Sequence, residues 1–451
     1  MNPRLPLTLL TGALFLGLSA VPPGLAWELS GTSRTTLRSS WADAPSGEDD
    51  RAAYASEALS LEADRLPMDA RVFLSGSYRW DIGQEDPDSV FYSSVDRFAN
   101  GRHLFVQELG LSARPAQALE VTAGRFSWES AEPVHLDGAA ARVSLPALPL
   151  LRGAELRAFG GRIVQFYEDL EKDGVYGAGV DLRLPLDVAL TADYLDYFDD
   201  LTRVTARKAF GQAAYAEAGA EWVNGDLREA SVSGTLWWAA TGTEVTASVY
   251  KKIGNEDYDD FLLDFTADAD PGRYELQRLA LDRQAPYNQY RLGLEQRLGS
   301  VATVSLVYTK RDLIDEEHYE SSFNTSFDVV QAGLGLFEPG VAGLSVRGHV
   351  SWWQEDRLAG DEARTLSYSL DAEQRLPRGF VVSGAYYRKT EDINNELESL
   401  VAQSLELGVG YHPGGAWGVD LAYTRETDDL LEDLYGVDEV HSVETRLTVR
   451  F

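Results

Sequence analysis

The chain ends in Val440 to Phe451, VHSVETRLTVRF, and these residues alternate with a strict period of two. Val443, Thr445, Leu447, Val449 and Phe451 fall on one face of an extended strand; Glu444, Arg446, Thr448 and Arg450 fall on the other. One face is apolar apart from a threonine, and the other is polar. The same rule runs backwards from there. Trp417, Val419, Leu421 and Tyr423 oppose Gly418, Asp420, Ala422 and Thr424, and Leu405, Leu407, Val409 and Tyr411 oppose Ser404, Glu406, Gly408 and Gly410. Further upstream, Leu366, Tyr368 and Leu370 oppose Ser367, Ser369 and Asp371, and Val346, Val350 and Trp352 oppose Arg347, His349 and Ser351. A chain patterned this way is all-β.

The connections between these segments decide which all-β fold applies. A soluble sandwich would have turns of similar length at both ends. Here short turns carrying Pro or Gly alternate with long acidic stretches. The short set includes Arg65-Leu66-Pro67, Arg114-Pro115, Arg183-Leu184-Pro185, Glu338-Pro339-Gly340, Arg375-Leu376-Pro377-Arg378-Gly379 and His412-Pro413-Gly414-Gly415. The long set includes Gly83 to Ser89, Tyr167 to Asp173, Gly254 to Asp270, Asp312 to Glu320, Gln354 to Glu362, Thr390 to Glu398 and Glu426 to Glu439. Strands that lead into the long set tend to end in Tyr followed by a basic or polar residue, as in Tyr250-Lys251-Lys252, Tyr387-Arg388-Lys389 and Tyr423-Thr424-Arg425. Aromatic rings at that height suit a membrane interface. The expected fold is a closed antiparallel transmembrane β-barrel with short periplasmic turns and long acidic extracellular loops. Its strand number is even and between about 18 and 22. The count depends on residues 201–252: Asn224-Gly225-Asp226 read as a tight external turn keeps the short and long loops alternating, whereas Arg203 to Trp222 read as one long strand lowers the count.

Composition removes other classes. The 451 residues carry 72 acidic and 40 basic side chains, a formal charge of −32, and no cysteine. Disulfides, thiolate metal sites and thiol nucleophiles are therefore excluded, and so acidic a chain is a poor match for nucleic acid. No segment after the amino terminus is apolar for long enough to be a membrane-spanning helix. Residues 1–26 have the pattern of a secretory signal: Arg4, the apolar run Leu5 to Val21, the breaker Pro22-Pro23, and small residues at Gly24 and Ala26. Cleavage there would leave one barrel domain, 27–451.

The alternating strands and the terminal Phe451 resemble those of bacterial outer-membrane β-barrel proteins. In that family the last strand, apolar at alternate positions and ending in Phe, is recognised by the barrel assembly machinery. Val443, Leu447, Val449 and Phe451 match this signal, and Thr445 departs from it. Glu108-Leu109-Gly110-Leu111-Ser112-Ala113-Arg114-Pro115, with Ala123-Gly124-Arg125 and Asp137-Gly138-Ala139, is similar to the porin-like and alginate-export-like group of large barrels. The resemblance implies an outer-membrane location, with lipid and lipopolysaccharide as surroundings.

Among barrel functions, an active receptor needs a plug domain, yet strand patterning begins almost at Trp27. A hydrolase needs a nucleophile and a base. His349 and Ser351 share one strand face, but no Gly-x-Ser-x-Gly elbow or oxyanion donor accompanies them, so they read as a polar pair lining a lumen. The expectation is no enzyme, no cofactor and no metal site; runs such as Glu256-Asp257-Tyr258-Asp259-Asp260 lack the spacing of a calcium loop. A conduit fits better, either a porin-like pore or an exporter of an exopolysaccharide. The alternative is a structural sheath around a periplasmic lipoprotein or a multihaem cytochrome, an export or electron-transfer partner. Predicted pore-lining residues are Arg291, Glu295, Arg347, Asp371, Glu406, Glu444, Arg446 and Arg450. Arg65, Arg114, Arg183, Arg375 and Arg378 are expected to form a basic periplasmic rim.

Overall fold

The computed structural model describes residues 28–43, 49–82, 104–147, 151–164, 174–197, 199–253, 286–314, 325–357, 362–393, 399–429, 432 and 436–451. The signal segment and the long acidic stretches 83–89, 167–173 and 254–270 lie outside the described residues. The rest forms one antiparallel sheet of 22 strands. The first half comprises β1 (Glu28–Asp43), β2 (Asp49–Leu66), β3 (Ala70–Asp81), β4 (Leu104–Ala116), β5 (Leu119–Trp128), β6 (Val134–Leu145), β7 (Gly153–Ile163), β8 (Gly174–Leu184), β9 (Val188–Tyr197), β10 (Asp199–Phe210) and β11 (Ala214–Val223). The second half comprises β12 (Asp226–Trp238), β13 (Thr243–Lys252), β14 (Tyr287–Leu298), β15 (Ala302–Leu313), β16 (Thr325–Phe337), β17 (Leu344–Arg357), β18 (Glu362–Arg375), β19 (Phe380–Ile393), β20 (Leu400–Tyr411), β21 (Trp417–Asp428) and β22 (Val440–Arg450).

Each strand pairs with the next, and β1 also pairs with β22, which closes the barrel. Phe451 completes the seam. Its amide donates to the Gly31 carbonyl at 3.1 Å and its carbonyl accepts from Gly31 at 2.9 Å. The ambiguous stretch 201–252 resolves into β10 to β13. Asn224 and Gly225, with φ of +50° and +91°, make the tight external turn that brings the total to 22.

Residues directly opposite in an antiparallel ladder share a face, so the ladder carries one side around the wall. Leu447 lies opposite Val419 and Thr35, and Glu444 opposite Ala422 and Arg38. On the Leu447 side stand Leu292, Leu306, Val350, Leu370, Leu407 and Leu421, each 47–54% exposed. So much exposed aliphatic surface around a closed sheet is the exterior of a membrane barrel. An exception proves informative at the seam: Glu57 faces outward, and the hydroxyls of Ser33 and Thr35 donate to its carboxylate.

The short turns at the opposite end repeat one geometry. In Leu66-Pro67-Met68, Leu184-Pro185-Leu186 and Leu376-Pro377-Arg378 the third residue is left-handed, with φ of +65°, +63° and +67°. Leu186 is 73% exposed, so its side chain gains little packing there. Leu186→Asn is expected to raise the thermal unfolding midpoint, gaining about 1 kcal/mol because Asn tolerates this region better. A thermal melt of both proteins in one detergent checks it.

The wall is not smooth. Gly110, Gly124, Gly138 and Gly161 lie opposite one another in a single row across β4 to β7. Gly124 has φ of +123°, and a Cβ there would stand 2.2 Å from the Leu109 carbonyl oxygen. Without side chains in this row the backbones approach closely and the wall creases. Above the crease the inner faces of β5 to β11 pack on themselves. Phe126, Trp128, Leu136, Phe159, Leu195, Leu201 and Val223 form a buried cluster with Ala131 from the β5–β6 connection.

Candidate functional site

The inner face is the candidate site. A barrel of 22 strands is too wide for its side chains to fill, and here the β5–β6 connection enters the space. Ala131 is fully buried in the inner cluster. Glu132 reaches Arg228, just inside β12, at 3.4 Å, and the Ser130 hydroxyl lies 3.5 Å from the Tyr194 carbonyl of β9. These strands lie well around the circumference from β5 and β6, so the contacts run across the interior. Residues 129–133 therefore narrow the external half of the lumen.

Below this segment is a polar cavity of about 410 Å³ against the inner wall of β7 to β12. Alternation alone places its groups: Arg203 and Arg207 are four apart on β10, and Glu217 and Glu221 are four apart on β11, so each pair shares the inner face. Arg207 Nε donates to Glu217 at 2.9 Å. Glu221 is 1% exposed and lies between Arg203, with which it forms an ion pair, and Arg228 at 3.2 Å. Arg157 donates to Asp193 at 2.9 Å, and Thr191 donates to Asp181 at 2.7 Å. Buried charges persist in a wall only when paired and hydrogen-bonded in this way. The network fixes the shape of the cavity and presents both signs of charge to whatever enters.

A second cavity of about 820 Å³ lies along β18 to β22 and β1. Glu406, Glu444, Arg446 and Arg450 line it, with Arg38, Glu373 and Asp420. Glu444 and Arg446 pair at 2.6 Å, and His412 lies 2.9 Å from Asp420. Arg347 lies opposite Asp371, and Arg291 lies opposite Ser248 and Thr309. Glu295 pairs with Arg297 at 3.2 Å. The register puts all eight predicted pore-lining residues on the inner face. His349 and Ser351 are there too, opposite Ser369 and Ser367.

The five arginines of the expected rim stand at the short-turn end, but not as bare charges. Arg65 pairs with Glu28, Arg114 with Glu120 and Arg375 with Glu373, each at 2.9 Å. Arg183 and Arg378 have no ion-pair partner among the described residues. Exposed pairs such as these screen much of the cationic field that a ring of arginines would otherwise create. At the other end of the wall, the Arg425 guanidinium bonds Glu439 and holds its carboxyl below the ordinary range. That carboxylate therefore stays charged to lower pH than a free one.

Among the described residues no group of three or more His, Asp or Glu side chains is placed to hold a metal, and the acidic runs at 256–260 and 268–270 lie outside them. Sequence reasoning missed the β5–β6 connection and the Arg157, Arg203, Glu221 and Arg228 network. The four-residue spacing on β10 and β11 was the signal that could have found part of it.

Comparison with solved structures finds chains that are similar over nearly their whole length. A BenF-like porin from Pseudomonas fluorescens Pf-5 is similar over 94% of this chain and 99% of its own, with 9% identity and a TM-score of 0.45. OccAB4 from Acinetobacter baumannii is similar over 93% of this chain and 98% of its own, with 10% identity and a TM-score of 0.47. OccAB2 from the same organism covers 94% and 98%, with 10% identity and a TM-score of 0.44. The alginate-export-like part of the sequence resemblance has no counterpart among these three. No family model and no curated protein matches the chain.

Proposed function

We propose that this barrel is a porin-like conduit of the bacterial outer membrane that passes small hydrophilic solutes and favours cations. The observation that carries this reading is the inner face, lined with ionised side chains of both signs and opening into two polar cavities. Water must fill such a space, and hydrated solutes can follow. The excess of acidic residues in the whole chain, 72 against 40, sets the sign of the field at its mouth. The inward β5–β6 connection and the packed inner faces of β5 to β11 use interior volume that a sheath would need for a lipoprotein or a cytochrome, so the open conduit is favoured. An exporting role with an exopolysaccharide as cargo would use the same lumen, with uronate groups meeting Arg38, Arg446 and Arg450. In this reading Val443, Leu447, Val449 and Phe451 are what the assembly machinery binds, and lipopolysaccharide surrounds the outer rim.

Planar-bilayer recording of the purified barrel tests the reading. Discrete conductance steps are expected, with a reversal potential under a salt gradient that indicates cations crossing more readily than anions, and a preference that weakens as salt screens the fixed charge. A folded, inserted barrel that passes no current would overturn it.

A further inference from the structure

Strands β4 and β5 pair from Ala116 opposite Leu119 only as far as Leu109 opposite Arg125. Above that point residues 104–108 stay with β3 while residues 126–128 stay with β6. Between them the wall is crossed by side chains where a backbone ladder would be expected. Arg125 Nη1 donates to the Val106 carbonyl at 3.0 Å, and His135 Nε2 meets the Gln107 carbonyl. These two carbonyls belong to the place where β4 slips register against β3. A membrane wall cannot leave peptide groups unsatisfied toward lipid, and here two bases satisfy them.

The slot has an apolar lining and a basic mouth. Leu104 and Leu109 are 58% and 54% exposed on its outer side. Behind it lie Phe73, Phe126 and Trp128 of the inner cluster. Arg125 holds Asp137 by two bonds of 2.7 Å, and Arg162 lies opposite the same aspartate. Two guanidiniums against one carboxylate leave the mouth positive, in a chain whose formal charge is −32.

We propose that this slot is a lateral portal between the lumen and the outer leaflet, used by an amphiphile with one apolar chain and an anionic head. The head would meet Arg125 and His135, and the chain would lie against the aromatic cluster. Opening its outer side requires Arg125 and His135 to change rotamer, and passage inward displaces the Phe126 and Trp128 rings behind them, whereas opening a paired seam would break a series of backbone hydrogen bonds. The inference rests on the wall geometry and is independent of conductance.

The test uses the full mature barrel in lipid nanodiscs and a palmitic acid carrying a diazirine on its chain. Because the chain has no native cysteine, a Gln107→Cys, Ser127→Cys double variant bridged by a short bismaleimide clamps the slot alone. Adducts are expected to concentrate on residues 104–109 and 126–128, and to fall after clamping to the level found on β14 and β15. Labelling by the methyl ester of the same probe should be weaker, as should labelling of Arg125→Gln. The double variant before bridging is the folded reference should Arg125→Gln fail to assemble. Adducts spread evenly around the exterior, or undiminished by the clamp, would overturn the portal. Equal labelling by the ester would overturn its preference for an anionic head. Ionic current recorded from the same preparations should be equal before and after clamping; its absence from both would count against the pore and not against the slot.

Discussion

Leu447→Arg is expected to block assembly of the barrel, while Arg446→Leu next to it assembles normally. Leu447 faces outward near the middle of β22, opposite Val419 and Thr35. A guanidinium on the lipid face near mid-membrane costs about 2–4 kcal/mol, a large part of the net stability of a folded domain. Arg446 faces inward and pairs with Glu444, both partly exposed to the lumen. Losing such a pair costs about 1 kcal/mol or less. Refolding both variants into lipid and measuring the fraction that migrates as a compact barrel on unheated gels checks the pair. Equal yields would mean that the two residues do not face different media.

Gly124→Val should open the crease and enlarge the channel. Its Cβ would meet the Leu109 carbonyl oxygen at 2.2 Å and the Gly110 Cα at 2.7 Å, and φ is +123°. Backbone strain alone costs a β-branched residue about 1–3 kcal/mol, and the clash adds to it by driving β4 and β5 apart. The packing of Phe126 and Trp128 depends on the bend, so its loss should lower the thermal midpoint and raise the single-channel conductance. Gly153→Val is the control, because a Cβ there meets nothing within 4 Å. An unchanged conductance for Gly124→Val would show that the crease does not shape the lumen.

The parts of this fold that were legible in the sequence are those set by a period of two within one strand. Leu447 and Arg446 announce their faces because neighbours along a strand always point apart. Phe451 and the Leu-Pro turns mark the ends for equally local reasons. The crease is a different matter. Gly110, Gly124, Gly138 and Gly161 form a row only because three successive turns fix the register, and nothing in the spacing of one strand reveals that. Gly110, Gly124 and Gly138 belong to the stretches that carried the resemblance to large barrels, yet their role here is to let the wall bend. The inward path of residues 129–133 was hidden as well, since Ala131 and Glu132 have no pattern of their own and are placed by the cluster and by Arg228. The basic rim was legible as composition and only in part as electrostatics: Glu373 sits two residues before Arg375 on the same strand face, whereas Glu28 and Glu120 come from facing strands to pair with Arg65 and Arg114.

Cysteine scanning of β22 reads the two faces of the wall one residue at a time. Single cysteines are placed in turn at 443 through 450 of a chain that has none, and the assembled barrel is exposed to a charged, water-borne maleimide. A two-residue period is expected: label at 444, 446, 448 and 450, and protection by lipid at 443, 445, 447 and 449. Uniform labelling, or a period in the opposite phase, would contradict it.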